Sequence, residues 1–137
     1  MAMNFLRNPR VVALARAAFW LALIFAVVMA VLPRPPQLPI DRFGDKFAHM
    51  LAFAVLAGLG AAAYPALRLR ALGLGLSAVG ALIEVLQAIP RLHRDSDVRD
   101  WIADSLAIAV VVVAVQLWRL LFSSPAKSAS RADHDRL

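Results

Sequence analysis

The 137-residue chain contains no cysteine. Disulfides, thiolate metal sites and cysteine nucleophiles are excluded, while the compartment stays open. Acids are scarce, with nine Asp and Glu against fifteen Lys and Arg, for a net charge of +6. The bases lie in short segments between apolar runs and form no single stripe with interleaved aromatics. That pattern argues against a nucleic-acid partner and for topology signals and contact with anionic lipid. No zincin helix, serine elbow or P-loop occurs, so the common hydrolase and NTPase signatures are missing.

Apolar sequence is what abounds. The hydrophobic fraction is 61% and the mean hydropathy +0.70. A water-soluble core of this length cannot hide so much apolar surface, so a second apolar phase is needed. A bilayer core about 30 Å thick takes roughly 20 helical residues. Four segments fit: Val11 to Leu32, Phe47 to Tyr64, Ala71 to Ile89 and Trp101 to Phe122. Prolines follow the first three, at Pro33, Pro65 and Pro90, as helix stops do. The backbone must satisfy itself in lipid, so the runs read as helices. The expected fold is all-α, an integral membrane bundle of four transmembrane helices over residues 1–122. The polar segment 123–137 reads as a disordered cytoplasmic tail. The first run is longer than a signal-peptide core and no A-x-A site follows, so it reads as an uncleaved helix.

Loop charges set the expected orientation. Arg7, Arg10, Arg16, Arg68, Arg70, Arg119, Lys127, Arg131 and Arg136 fall on one side, nine in all, against six on the other: Arg34, Arg42, Lys46, Arg91, Arg94 and Arg99. The side with six also carries Asp41, Asp45, Asp95, Asp97 and Asp100. The positive-inside rule then makes both termini cytoplasmic. Trp101 and Trp118 would mark the two interfaces of the fourth segment, with Tyr64 near the cytoplasmic one.

Ionisable residues inside a span cost about 2.5–3.5 kcal/mol near a helix centre, so their positions are informative. Arg16 sits near enough to its helix start to snorkel. The others converge on one shallow layer at the non-cytoplasmic end: His49 early in the second segment, Glu84 and Gln87 late in the third, Asp100 and Asp104 early in the fourth. Asp45 and His49 share a helix face, as do Asp97, Asp100 and Asp104. Gly73, Ser77, Gly80, Glu84 and Gln87 form one stripe, small in one half and polar in the other. Small stripes let membrane helices approach closely. The expectation is a tight bundle that opens, near the outer leaflet, into a polar, hydrated pocket. Asp45, Lys46, His49, Glu84, Gln87, Arg94, Asp100 and Asp104 are the candidate ligand-binding residues, and neighbouring cations that merely neutralise the acids are the plainer account of the same charges.

The ordered set Asp45-Lys46-x-x-His49-x-x-x-Phe53-x-x-Leu56, Glu84-x-x-Gln87, then Arg94 with Asp100 six residues on, resembles the VanZ-like family, named for a protein linked to low-level teicoplanin resistance. The similarity spans Asp45 to Val113. Asp104 and Ala107 stand where that family usually has Asn and Gly. The resemblance implies a multi-pass protein of the bacterial inner membrane, associated with the cell envelope and with glycopeptide susceptibility. No cofactor is assigned.

Three functions compete. The first is a non-enzymatic factor binding the headgroup of a membrane lipid or lipid-linked cell-wall precursor, with His49, Lys46 and Arg94 toward phosphate. The second is a membrane hydrolase or transferase with His49 as general base and Asp45 or Glu84 as its orienter; in that variant carboxylates could hold a hard divalent cation, although no metal site is assigned. The third is a small transporter using Glu84 as proton carrier. Four short helices make a small bundle, which leaves room for homo-oligomers.

Overall fold

A computed structural model describes residues 8–33, 35–37, 39–92 and 96–122; the side chains of Asp41 and Asp45 lie outside the described set. The described residues fold into four α-helices, α1 (Pro9–Val31), α2 (Asp45–Ala63), α3 (Leu69–Gln87) and α4 (Val98–Phe122), with 3-10 turns at Pro39–Phe43 and Pro90–Leu92. No strand occurs among the described residues. The expected tail, 123–137, falls outside them.

Local chemistry sets the boundaries. Asn8 caps α1 by accepting from the Arg10 amide at 3.0 Å, and Pro9 takes the first turn, where a missing N–H costs nothing. Gly44, at φ 98°, swings the chain from the 3-10 turn into α2, a backbone state that glycine enters without strain. Asp97 caps α4 through its side chain, which accepts from the Arg99 amide at 2.9 Å. With these starts, α2 begins two residues before the expected Phe47 and α4 three residues before the expected Trp101. Asp100 consequently sits in the first turn of α4, where the helix dipole favours an acid.

All four helices are long and apolar enough to cross a membrane. The shortest have 19 residues, about 28 Å at 1.5 Å per residue. They run alternately up and down. α2 lies centrally and supplies Phe53, Leu56, Ala57 and Ala61 to a core completed by Phe19 of α1, Leu72, Leu76 and Ile83 of α3 and Ile108 of α4. In α1, only Phe19 and Ala30 are buried; Leu14, Leu21, Ile24, Phe25 and Val28 face outward. α4 likewise exposes Leu106, Val110, Val113, Leu117 and Leu121. Apolar helices this exposed need a lipid-like surround.

The small half of the α3 stripe does face inward. A Cβ at Gly80 would stand 3.4 Å from both Phe53 and Trp101, and one at Gly73 3.6 Å from Ile108 and Val112. Two arginines close the far end of α2. Its last carbonyls have no helical partner, and Pro65, which would face Ala61 O, has no N–H to give. Arg119 of α4 donates to Ala61 O at 3.1 Å, and Arg16 of α1 to Ala63 O at 3.0 Å. Arg16 also lies 5.2 Å from the Tyr64 ring, whose hydroxyl accepts from Trp20 Nε1 at 2.9 Å. Arg16 is therefore engaged by α2 rather than reaching away from the bundle. Trp101 is turned similarly inward: its indole N–H meets Ser77 O at 3.0 Å.

Candidate functional site

The helices α2 and α4 start at the same end of the bundle and pack along each other, the most extensive helix contact in the fold. Each brings two ionisable residues to that seam at helical spacing. Lys46 Nζ lies 2.9 Å from Asp100 Oδ1. One turn further in, His49 Nδ1 lies 3.9 Å from Asp104 Oδ2. The two rungs make a short polar ladder, with cationic or basic groups on α2 and acids on α4.

The rungs differ in exposure. The Lys46 side chain is 47% exposed and that of Asp100 18%, so the ammonium keeps donors for solvent or a ligand. The two groups form a close ion pair. Asp104 is 2% exposed, and its Oδ1 is buried without a hydrogen-bond partner. At 3.9 Å the imidazole is beyond hydrogen-bond range of Oδ2 and acts on it through charge when protonated. A buried carboxylate oxygen without a hydrogen bond is costly, which makes Asp104 an incompletely satisfied polar group at this seam.

The polar half of the α3 stripe has a different employment. Glu84 Oε2 accepts from Ser96 Oγ at 3.1 Å and from the Asp97 amide at 3.0 Å, while Ser96 Oγ also reaches Glu84 O at 3.0 Å. Glu84 thus pins the start of α4 to the end of α3. Gln87 Nε2 donates to Ala30 O at 3.0 Å, satisfying one of the carbonyls that the end of α1 leaves open. Both side chains are buried and tie backbone to backbone. Asp97, by capping α4, belongs to the same structural set. Asp45 opens α2 at this end, its side chain outside the described set, and Arg94 lies outside the described residues altogether.

A cavity of about 360 Å³ opens beside the ladder, between α1 and α2. Among the described residues that line it, His49 is the polar one and the others are apolar, including Ala26, Phe25, Ala52, Phe53 and Ile83. A polar, hydrated chamber was expected here. The structure corrects this: among the described residues Asp100, Asp104, Glu84 and Gln87 are turned into seams between helices, Lys46 is half-exposed beside Asp100, and His49 stands at the boundary of polar seam and apolar cavity.

No protein family, curated protein or solved structure matches this chain. The site is therefore read on its own chemistry. Among the described residues no group of three or more His, Cys, Asp or Glu is placed to hold a metal ion.

Some contributors escaped the sequence reading. Ser96 is the donor that Glu84 needs. Ser105 of α4 is another contributor, meeting Ser77 of the α3 stripe through a 2.9 Å hydroxyl contact. The alanines that shape the cavity sit partly on α1, outside the motif region. Their signal was present as a four-residue spacing, Ala22, Ala26 and Ala30 against Ala48 and Ala52.

Proposed function

We propose that this chain is a multi-pass membrane protein of the bacterial envelope that holds an amphipathic lipid or lipid-linked cell-wall precursor, with the headgroup at Lys46 and His49 and the apolar part in the neighbouring cavity. The observation that carries the reading is the junction at His49, where an apolar cavity of about 360 Å³ meets the charged ladder. The volume falls within the range of ligand pockets, roughly 300–1,000 Å³. The loop-charge bias supports both termini in the cytoplasm and the ladder near the outer leaflet. The resemblance to the VanZ-like family supports an envelope setting and an influence on glycopeptide susceptibility.

The test is lipid retained by the purified protein, compared with Lys46→Ala and His49→Ala. Lipid enriched on the parent and depleted at least severalfold on both variants supports the reading. Equal lipid on all three removes it. A second reading draws on the pairing of His49 with buried Asp104, which suits a general base and its orienter in a lipid-headgroup hydrolase or transferase. Headgroup turnover by the parent, abolished in His49→Ala, would establish it.

A further inference from the structure

The shape of the cavity carries the lipid reading further, to the class of lipid, and this step rests on that reading. The walls are two facing ladders of small side chains. On α1, Ala22, Ala26 and Ala30 recur every four residues; on α2, Ala48 and Ala52 do the same. Residues four apart share a helix face, so each ladder is a continuous shallow strip, and the two strips leave a slot where larger side chains would interlock. Phe53 and Ile83, both buried, close the slot on the core side. Phe25, Leu51 and Val55 line it and are also exposed on the outer surface of the bundle, so it opens sideways, toward where acyl chains would lie. Pro35, Pro36 and Ile40 of the connecting segment border it at the His49 end.

Dimensions narrow the occupant. From Ala22 to Ala30 the α1 strip runs about 12 Å, within a single leaflet of a bilayer core about 30 Å thick. A slot of about 360 Å³ lies near the bottom of the range for ligand pockets, suited to one chain side-on rather than two. The head end has its own character. Of the described side chains at this end, Lys46 and Arg42 are exposed on the two elements that frame the mouth, Asp100 is paired with Lys46, and Asp104 and Glu84 are buried. Exposed cations among these side chains favour an anionic head, and Lys46 lies one turn from His49 on the same face of α2.

We infer that the slot between α1 and α2 takes a single-chain lipid with an anionic headgroup, entering sideways from the outer part of the bilayer, its chain between the alanine strips and its head against His49 and Lys46.

The experiment uses the full chain in phosphatidylcholine nanodiscs. Three photoactivatable probes are added in turn: a single-chain phosphate lipid (lysophosphatidate), its two-chain counterpart (phosphatidate) and a single-chain neutral lipid (monoacylglycerol). Labelled peptides are read by mass spectrometry. The single-chain phosphate probe should label residues 22–30 and 48–55 at least about tenfold more efficiently than either other probe. Ala26→Phe and, on the opposite wall, Ala52→Phe should each abolish that labelling, with thermal unfolding confirming that at least one variant is folded. Lys46→Ala should bring the phosphate probe down to the neutral one. Equal labelling by one-chain and two-chain phosphate, lost in His49→Ala, overturns the single-chain inference while leaving the lipid reading intact. Labelling by no probe overturns both. Labelling by the single-chain probe that survives both phenylalanine variants in folded protein overturns the slot.

Discussion

Replacing Glu84 separates two roles that the sequence leaves joined. In the structure its carboxylate holds Ser96 Oγ at 3.1 Å and the Asp97 amide at 3.0 Å. Hydrogen bonds to a charged group contribute about 1.5–3 kcal/mol each, and the lower figure applies because Ser96 and Asp97, the donors, are on the exposed side of this part-buried seam. Glu84→Leu removes both and leaves the Asp97 amide without its partner, so the expected loss is about 3 kcal/mol. Glu84→Gln keeps one acceptor oxygen and should lose only about 1 kcal/mol. Reversible unfolding in mixed micelles, followed by tryptophan fluorescence, gives both values. Labelling by the single-chain phosphate probe supplies the second readout and should be retained in Glu84→Gln. The reasoning fails if Glu84→Leu is as stable as the parent. It fails equally if Glu84→Gln unfolds normally yet no longer binds lipid, since Glu84 would then act on the ligand.

Further outcomes follow from individual contacts. Gln87→Leu should cost about 1 kcal/mol, the net worth of one neutral hydrogen bond, and should raise the labelling of α1 cysteine variants near Ala30 by a water-soluble maleimide. Gly60→Ala should destabilise by about 1 kcal/mol net of helix propensity, because its Cβ would come within 2.7 Å of Leu72 Cδ1 and 3.2 Å of Phe19 Cε2; Gly58→Ala, with nothing within 4 Å, should stabilise by about 0.5–1 kcal/mol in the same unfolding assay. Asp104→Asn removes a buried charge whose Oδ1 has no partner, so it should unfold no more easily than the parent; a loss of several kcal/mol would show that the His49 rung holds the fold.

Much of the architecture was readable because it follows from local rules. Prolines 33, 65 and 90 end apolar runs, and the spacing of Gly73, Ser77, Gly80, Glu84 and Gln87 determines a single inward stripe. The pairing of α2 with α4 was half visible: spacing showed that His49 has a face and that Asp100 and Asp104 share one, but only packing shows those faces meet. The fate of Glu84 and Gln87 was not visible. An intramembrane acid or amide looks the same in sequence whether it binds a ligand or a backbone, and the partners here, an amide at position 97 and a carbonyl at position 30, carry no sequence signal. The form of the cavity comes from alanines, which are too common in apolar helices to stand out until two helices are seen face to face.

The junction of Pro65 and Arg119 bears on how the molecule is made. A proline just past α2 leaves the oxygen of Ala61 waiting for a donor, and the donor comes from 58 positions later. Until α4 is made, Arg119 cannot supply that donor, so a chain halted before position 119 would leave the seam at Ala61 open.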